Sequence, residues 1–268
     1  MSKSPASSEA SRSNDSRHFE DGGNAYARHR PTYPEQLAEA LAAECEDAFH
    51  ALDVGCGSGQ LSVLLANHFN LVTATDPSEE QIANAEAQDN VRYLTEPAER
   101  ISLANNSVDL IVAAQAAHWF DLDRFYAEAC RVGTPSAMLA LVSYGVPEVD
   151  GEPAERFDTF YWQDIHRFWP EGRTHVEEGY RTLRFPFEES VLPPLFIERR
   201  WSFAELGGYV RTWSAVKRAI QAGEADLVQQ GLADIAATWG PPDHKRLVKW
   251  PVVARIGAVS SFDQILNG

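Results

Sequence analysis

The stretch Ala51 to Gln60, reading ALDVGCGSGQ, constrains this chain more than any other. A short apolar run ends at Asp53, glycines follow at 55, 57 and 59, and Leu61 to Phe69 has the apolar content of a helix. Strand, glycine loop and helix, in that order, is how an open α/β sheet seats a small ligand at the carboxyl end of its first strand. Glycine supplies positive φ and lets a ligand approach where a Cβ would otherwise stand. The following helix presents unpaired N–H groups at its start. The competing reading is a tight strand-to-helix corner that holds nothing.

The chain beyond the loop repeats the same unit. Leu71 to Thr75 is β-rich and ends at Asp76, where an acid can accept both hydroxyls of a ribose. Asp76 can equally serve as a helix N-cap with Pro77 at the first helical position, and Ser78 with Gln81 offers a rival capping box. Ser78 to Ala87 is the predicted helix. Val91 to Leu94 reads as a third strand. Ser107 to Ala114 is nearly continuous in apolar residues, as expected of a central parallel strand buried on both faces. It runs into Gln115-Ala116-Ala117-His118-Trp119-Phe120, which then faces the crevice at the strand ends. The Asp121 to Arg131 helix and a fifth strand, Ala137 to Tyr144, complete a doubly wound, mostly parallel, Rossmann-like α/β sheet.

The loop spacing separates two cofactor classes. Dinucleotide sites use GxGxxG, whose third glycine lets helix and strand pack closely; here that place holds Gln60, and the spacing is GxGxG with an acid, Asp53, two residues ahead. This form resembles the loop of class I S-adenosylmethionine-dependent methyltransferases. Two further strings, Tyr26-Ala27-Arg28-His29-Arg30-Pro31-Thr32-Tyr33-Pro34 and Ala114-Gln115-Ala116-Ala117-His118-Trp119-Phe120, resemble a small-molecule subgroup similar to trans-aconitate methyltransferase. The resemblance spans Tyr26 to about Tyr144.

The resemblance implies S-adenosyl-L-methionine as cofactor and S-adenosyl-L-homocysteine as product. It implies that Tyr26 and Arg30 fold over the cofactor, where a guanidinium pairs with the carboxylate of its methionine part. Without it, the pair reads as a surface arginine and a tyrosine packed on proline. Asp53, Gly55, Cys56, Gly57, Gly59 and Gln60 would form the cradle, with Asp76 and Pro77 at the ribose. Ala98 and Glu99 would line the adenine, although they also read as a charged loop entering a helix. Gln115 joins the cofactor-binding set. His118 and Trp119 are placed beside the transferable methyl, and Tyr144 and Trp213 are further acceptor-binding candidates. His118 has three readings: a general base with a pKa near operating pH, a hydrogen-bond donor that orients the acceptor, or a ring packed at a helix start. The implied reaction is an in-line methyl displacement by a small-molecule acceptor, with a carboxylate oxygen hinted at. Rival readings are a protein or RNA methyltransferase and a non-catalytic sensor that binds the cofactor.

Composition narrows the partners. With 39 acidic against 23 basic side chains, the formal charge is -16, which disfavours phosphate backbones and anionic membrane surfaces alike. No nucleic-acid or membrane partner is expected. Three cysteines without metal spacing fit a reducing compartment, and Cys56 reads as a small loop residue. The eight histidines are scattered, so no metal is expected. The start of the chain lacks the apolar core of a signal peptide, so a cytoplasmic protein is expected.

The expected organisation is a disordered serine-rich arm over 1–17, a cofactor-covering segment with a first helix (Glu35 to Glu46) over 18–50, and the cofactor-binding core over 51–146. An inserted helical, aromatic-rich cap follows over 147–196, and closing strands and helices over 197–268. The cap holds Phe157, Phe160, Tyr161, Trp162, Ile165, Phe168 and Trp169 in a predicted helix from Ala154 to Pro170, then a second over Thr174 to Leu183. The closing region is predicted as strand Ile197 to Phe203, helices Phe203 to Ala222 and Ala225 to Trp239, and a final strand Lys249 to Val259. In the family this last pair of strands closes the sheet, the final one antiparallel.

Overall fold

A computed structural model describes residues 31–261. Tyr26, Arg30 and the arm expected over 1–17 lie outside the described residues. Among the described residues nine strands form one sheet: β1 (His50–Val54), β2 (Leu71–Asp76), β3 (Val91–Thr95), β4 (Val108–Ala114), β5 (Gly133–Tyr144), β6 (Glu148–Val149), β7 (Glu189–Ser190), β8 (Leu195–Trp201) and β9 (Arg246–Ala258). The order begins β3-β2-β1-β4-β5-β9, and the first five are mutually parallel. β9 runs antiparallel to β5 and to β8. The doubly wound α/β sheet with an antiparallel final strand is therefore what the chain forms.

The apolar runs explain the layering. Within β4, Leu110 and Val112 pack with Leu37 and Leu41 on one face of the sheet. Ile111 and Ala113 pack with Phe125 and Tyr126 on the other. Burying one such aliphatic or aromatic side chain stabilises by about 1.5–3 kcal/mol, so a strand covered on both faces is held twice. The helix Leu122–Val132 supplies Phe125, Tyr126 and Ala129 to the second face, and Asp121 caps its start. β1 therefore lies between β2 and β4, and its carboxyl end opens between two covered layers.

Several elements differ from expectation. The helices Glu35–Ala43, Ser62–Leu65 and Glu79–Ala83 are each shorter than their apolar content predicts. The aromatic stretch begins as α-helix at Ala154–Thr159 but widens to a π-helix over Phe160–Ile165, then tightens at His166–Phe168. The second cap helix covers only Arg173–Glu177, because Gly179 and Tyr180 both take positive φ and end it. The single helix expected over Phe203 to Ala222 is two, Phe203–Arg211 and Ser214–Gln221. Thr212 Oγ1 donates to the Tyr209 carbonyl at 2.6 Å, competing with the helical ladder, and Trp213 turns extended at ψ 136°.

Two short strands, β6 and β7, were not expected in the segment before β8. β6 and β8 both pair with Val248 and Lys249 of β9, so they lie on opposite edges of it. β7 lies opposite β5, since both pair with Ile256 and Gly257.

Candidate active site

The glycine loop is fixed by the end of β2. Gly55 and Cys56 both donate their N–H to the Thr75 carbonyl, at 2.7 and 2.9 Å, and Gly59 donates to the Cys56 carbonyl at 3.0 Å. Gly59 has φ +82°, and a Cβ there would fall 2.4 Å from the Tyr93 hydroxyl. Gly57 has φ +57°, yet a Cβ there would meet only Gln81 Oε1, at 3.7 Å. Gly59 is thus required by packing, as is Gly55, where a Cβ would fall 2.5 Å from the Ala116 Cβ; Gly57 leaves open space above the loop.

Asp76 belongs to this loop and caps no helix. Its Oδ2 accepts the Gly57 N–H and its Oδ1 the Ser78 N–H, each at 2.9 Å. Ser78 is the cap of the Glu79–Ala83 helix, accepting from Gln81 N–H. Burial raises the Asp76 pKa, and the two N–H bonds oppose it. Each carboxylate oxygen retains a lone pair. Pro77 is exposed, and Gln60 and Cys56 are half-buried; burial pushes the Cys56 thiol well up.

Asp53 sits beneath the loop, 1% exposed. Its Oδ2 accepts from Ser62 Oγ at 2.6 Å, while Oδ1 is buried with no hydrogen-bond partner among the described residues. Burial pushes its pKa up to about 7, against the Ser62 hydrogen bond and with a contribution from Asp76. A buried carboxylate oxygen without a donor is costly and attracts a cation.

At the end of β4, Gln115 takes φ 57°, a left-handed conformation that costs a non-glycine residue roughly 1–2 kcal/mol. Its N–H donates to the Val142 carbonyl at 2.8 Å, and its Nε2 to the Tyr144 carbonyl at 3.0 Å. This locks the crossover from β4 to the end of β5. Tyr144 in turn packs edge-on against Tyr33, centroids 5.9 Å apart.

His118 follows in a single 3-10 turn, Ala117–Trp119. Its Nδ1 lies 2.9 Å from the hydroxyl of Tyr180. Tyr180 is fully buried and left-handed at φ 61°, strain of the kind that gathers at functional sites. The buried hydroxyl proton has one acceptor among the described residues, His118 Nδ1. With the Tyr180 hydroxyl as donor, the histidine proton resides on Nε2. Trp119 stacks at 4.8 Å on His118 but is 46% exposed, so it is an outer wall. Ala98 is buried, and Glu99 Oε1 accepts the Asp121 N–H at 2.8 Å, tying the adenine-lining candidate to the start of the Leu122–Val132 helix.

Over this crevice stands the aromatic segment. A Cβ at Gly172 would lie 3.8 Å from His118 Cδ2. The neighbouring Arg173 donates to the Tyr161 hydroxyl from Nε and Nη2, at 3.0 and 2.8 Å, and from Nε to Glu177 at 3.3 Å. The Tyr161 hydroxyl donates to Glu177 at 2.5 Å. Trp213 is buried against Phe157, Tyr161, Trp169 and Tyr209, centroids 5.4–6.1 Å apart. Its ring belongs to this aromatic cluster. Sequence reasoning missed Tyr180, Arg173 and Glu177. The Arg–Glu spacing of four on a short helix was a readable pairing signal; nothing in the sequence pointed to Tyr180.

Comparison with known proteins agrees with this fold. Residues 52–141 match the family described as a methyltransferase domain. A Dictyostelium discoideum protein described as a methyltransferase is 34% identical over 209 residues, covering 76% of this chain and 80% of that protein. A solved Anaeromyxobacter dehalogenans structure, described as a type II methyltransferase, is 45% identical with a TM-score of 0.81, covering 86% of this chain and 98% of that one. A malonyl-[acyl-carrier protein] O-methyltransferase of Pectobacterium atrosepticum is 32% identical over 120 residues, 44% of this chain and 47% of that protein.

Proposed function

The chain belongs to the class I S-adenosylmethionine-dependent methyltransferases, and from that premise we propose that its acceptor is a small carboxylic acid, methylated on oxygen. The residues present fit the cofactor. The unpartnered Asp53 Oδ1 suits the cofactor's ammonium, the open face of Gly57 suits close approach, and the free lone pairs of Asp76 suit ribose hydroxyls. When bound, the cofactor supplies a methyl group on a sulfonium sulfur, which leaves as a neutral thioether.

The chain's own part is to hold, orient and exclude water. Orientation of two reactants contributes about 7–11 kcal/mol to such steps. Gln115 fixes the floor through its bond to Tyr144, and the aromatic cover of Tyr161, Trp169 and Trp213 keeps water out. His118, protonated on Nε2, acts as a hydrogen-bond donor to the acceptor, not as a base.

The observation that carries the carboxylate reading is the Tyr180–His118 hydrogen bond. A donor histidine suits an acceptor that arrives already ionised; a phenol or amine would need a proton taken from it. The half-length match to an O-methyltransferase of malonyl-[acyl-carrier protein] is in keeping with this. The test is methyl transfer from labelled S-adenosylmethionine to a panel of small acids, phenols and amines between pH 6 and 9. Transfer to acids, with a rate flat in pH, is expected. Transfer confined to phenols, amines, protein or RNA, or cofactor binding with no transfer at all, would overturn it.

A further inference from the structure

We propose that Arg173 reads a second carboxylate on the acceptor, remote from the one that reacts, and so selects diacids over monoacids. The inference rests on the acid reading above and adds the residue that sets specificity.

Arg173 follows Gly172, which lies against His118, so its backbone stands beside the histidine of the candidate site. Its charge also bears on the hydroxyl of Tyr180, the partner of His118, opposing the upward push of burial there. Most of the side chain is held in one orientation. Nε and Nη2 are engaged by Tyr161 and Glu177, and the guanidinium lies 4.4 Å over the Trp169 ring. Nη1 makes no hydrogen bond to a described residue, and the side chain keeps 20% of its surface accessible. A guanidinium fixed through Nε and Nη2, with Nη1 unbonded among the described residues, is pre-organised for a carboxylate.

The surroundings support recognition over simple stapling. Glu177 is the carboxylate paired with Arg173, and its two oxygens are already engaged: Oε1 by Tyr161 and Arg173, Oε2 by His166 at 3.2 Å. The remaining walls are Trp169, Trp213 and Tyr161, which lower the local dielectric and strengthen a charged contact. Tyr161 reaches its place from the π-helical Phe160–Ile165 segment, a distortion frequent at functional sites. The chain as a whole carries -16 and repels a small dianion, so such an acceptor needs a cation placed where it binds. A guanidinium pairing withdraws charge from the oxygen it holds, so it serves better at the non-reacting end.

The test compares C4 to C6 diacids (succinate, glutarate and adipate) with their half-amides, which keep one reactive carboxylate and lose the second charge. Wild-type protein is expected to favour the diacids at least tenfold in kcat/KM. That ratio is expected to fall to within twofold of unity in Arg173→Met and to an intermediate value in Arg173→Lys. An unchanged ratio in both variants, or no wild-type preference, would overturn the proposal. If Arg173→Met fails to fold, Arg173→Lys decides through its KM for diacid against half-amide. A second readout needs no turnover: succinate added to the S-adenosylhomocysteine complex should alter tryptophan emission, and the change should vanish in Arg173→Met and in Trp169→Phe. A wild-type protein that methylates half-amides but shows no diacid preference refutes Arg173 alone. One that methylates no acid refutes the acid reading beneath it.

Discussion

The Tyr180 hydroxyl and His118 Nδ1 are hydrogen-bonded across 2.9 Å, joining a left-handed residue of the cap to the turn that ends β4. With the hydroxyl as donor, the ring proton sits on Nε2. In 15N spectra His118 should appear as the Nε2–H tautomer. Tyr180→Phe should release that preference and lower kcat about tenfold, well short of the 100-fold or greater loss seen when a positioned donor is removed outright. His118→Gln, which keeps a donor, should retain more activity than His118→Ala.

Asp53 predicts a pH dependence. Its pKa rises from 3.8 to about 7 on folding because the carboxyl is buried, so the folded protein holds a proton that the unfolded chain releases. Its contribution to stability is complete below about pH 4 and is lost as pH rises through 7. Asp53→Asn removes the titration. In thermal melts without cofactor, the variant should gain on wild type between pH 4 and 7, by up to roughly 4 kcal/mol, and the gap should then level off. Cofactor affinity should move the other way, weaker in the variant at pH 8, as calorimetry would reveal.

Gly59 and Gly57 separate packing from binding in the loop. Gly59→Ala adds left-handed strain to a clash with the Tyr93 ring, about 2–5 kcal/mol together. Gly57→Ala carries the strain alone, about 1–2 kcal/mol. Urea unfolding should therefore rank Gly59→Ala as the more damaging. Cofactor binding should nevertheless fall at least tenfold in Gly57→Ala. Adding Tyr93→Ala should rescue part of the stability lost in Gly59→Ala.

Asp109 supports the site from behind. Its Oδ2 accepts the N–H groups of Phe49 and His50, both at 3.0 Å, at the start of β1. Asp109→Ala leaves two donors in a place where the carboxylate was 7% exposed, at a cost of about 2–4 kcal/mol by denaturant titration. Cofactor affinity at 25 °C should change by less than threefold, because β1's other end forms the loop.

The sheet was legible because its signals are local. The apolar run of β4, the glycine spacing and Asp76 each sit where period and turn chemistry place them. The helix Ala225–Trp239 matches its predicted bounds, since Gly240 at φ 104° stops it in a way that sequence displays. The cap was legible only as aromatic content. The π-helical turn at Phe160–Ile165, the break at Trp213 and the left-handed Tyr180 answer to tertiary packing, which no local pattern carries. β6 and β7 are two residues each and exist because β9 offers free edges. At the site the same division holds. Asp53, Asp76 and Gly57 are candidates that spacing suggests, and His118 one suggested by its place past β4 and by the resemblance, while Arg173 and Tyr180 come from a segment about sixty residues further on.

β9 pairs with four strands, and every one of them precedes it in the chain. Met138 of β5 must wait for Ala258, 120 residues later, before its edge is closed. During synthesis, β1 to β4 can assemble while β5 and β8 stand exposed, at risk of sticking to other nascent chains. Translation halted before Arg246 would leave β5 and β8 without the strand that joins them. Four strands thus wait on one, and the sheet closes only when β9 arrives.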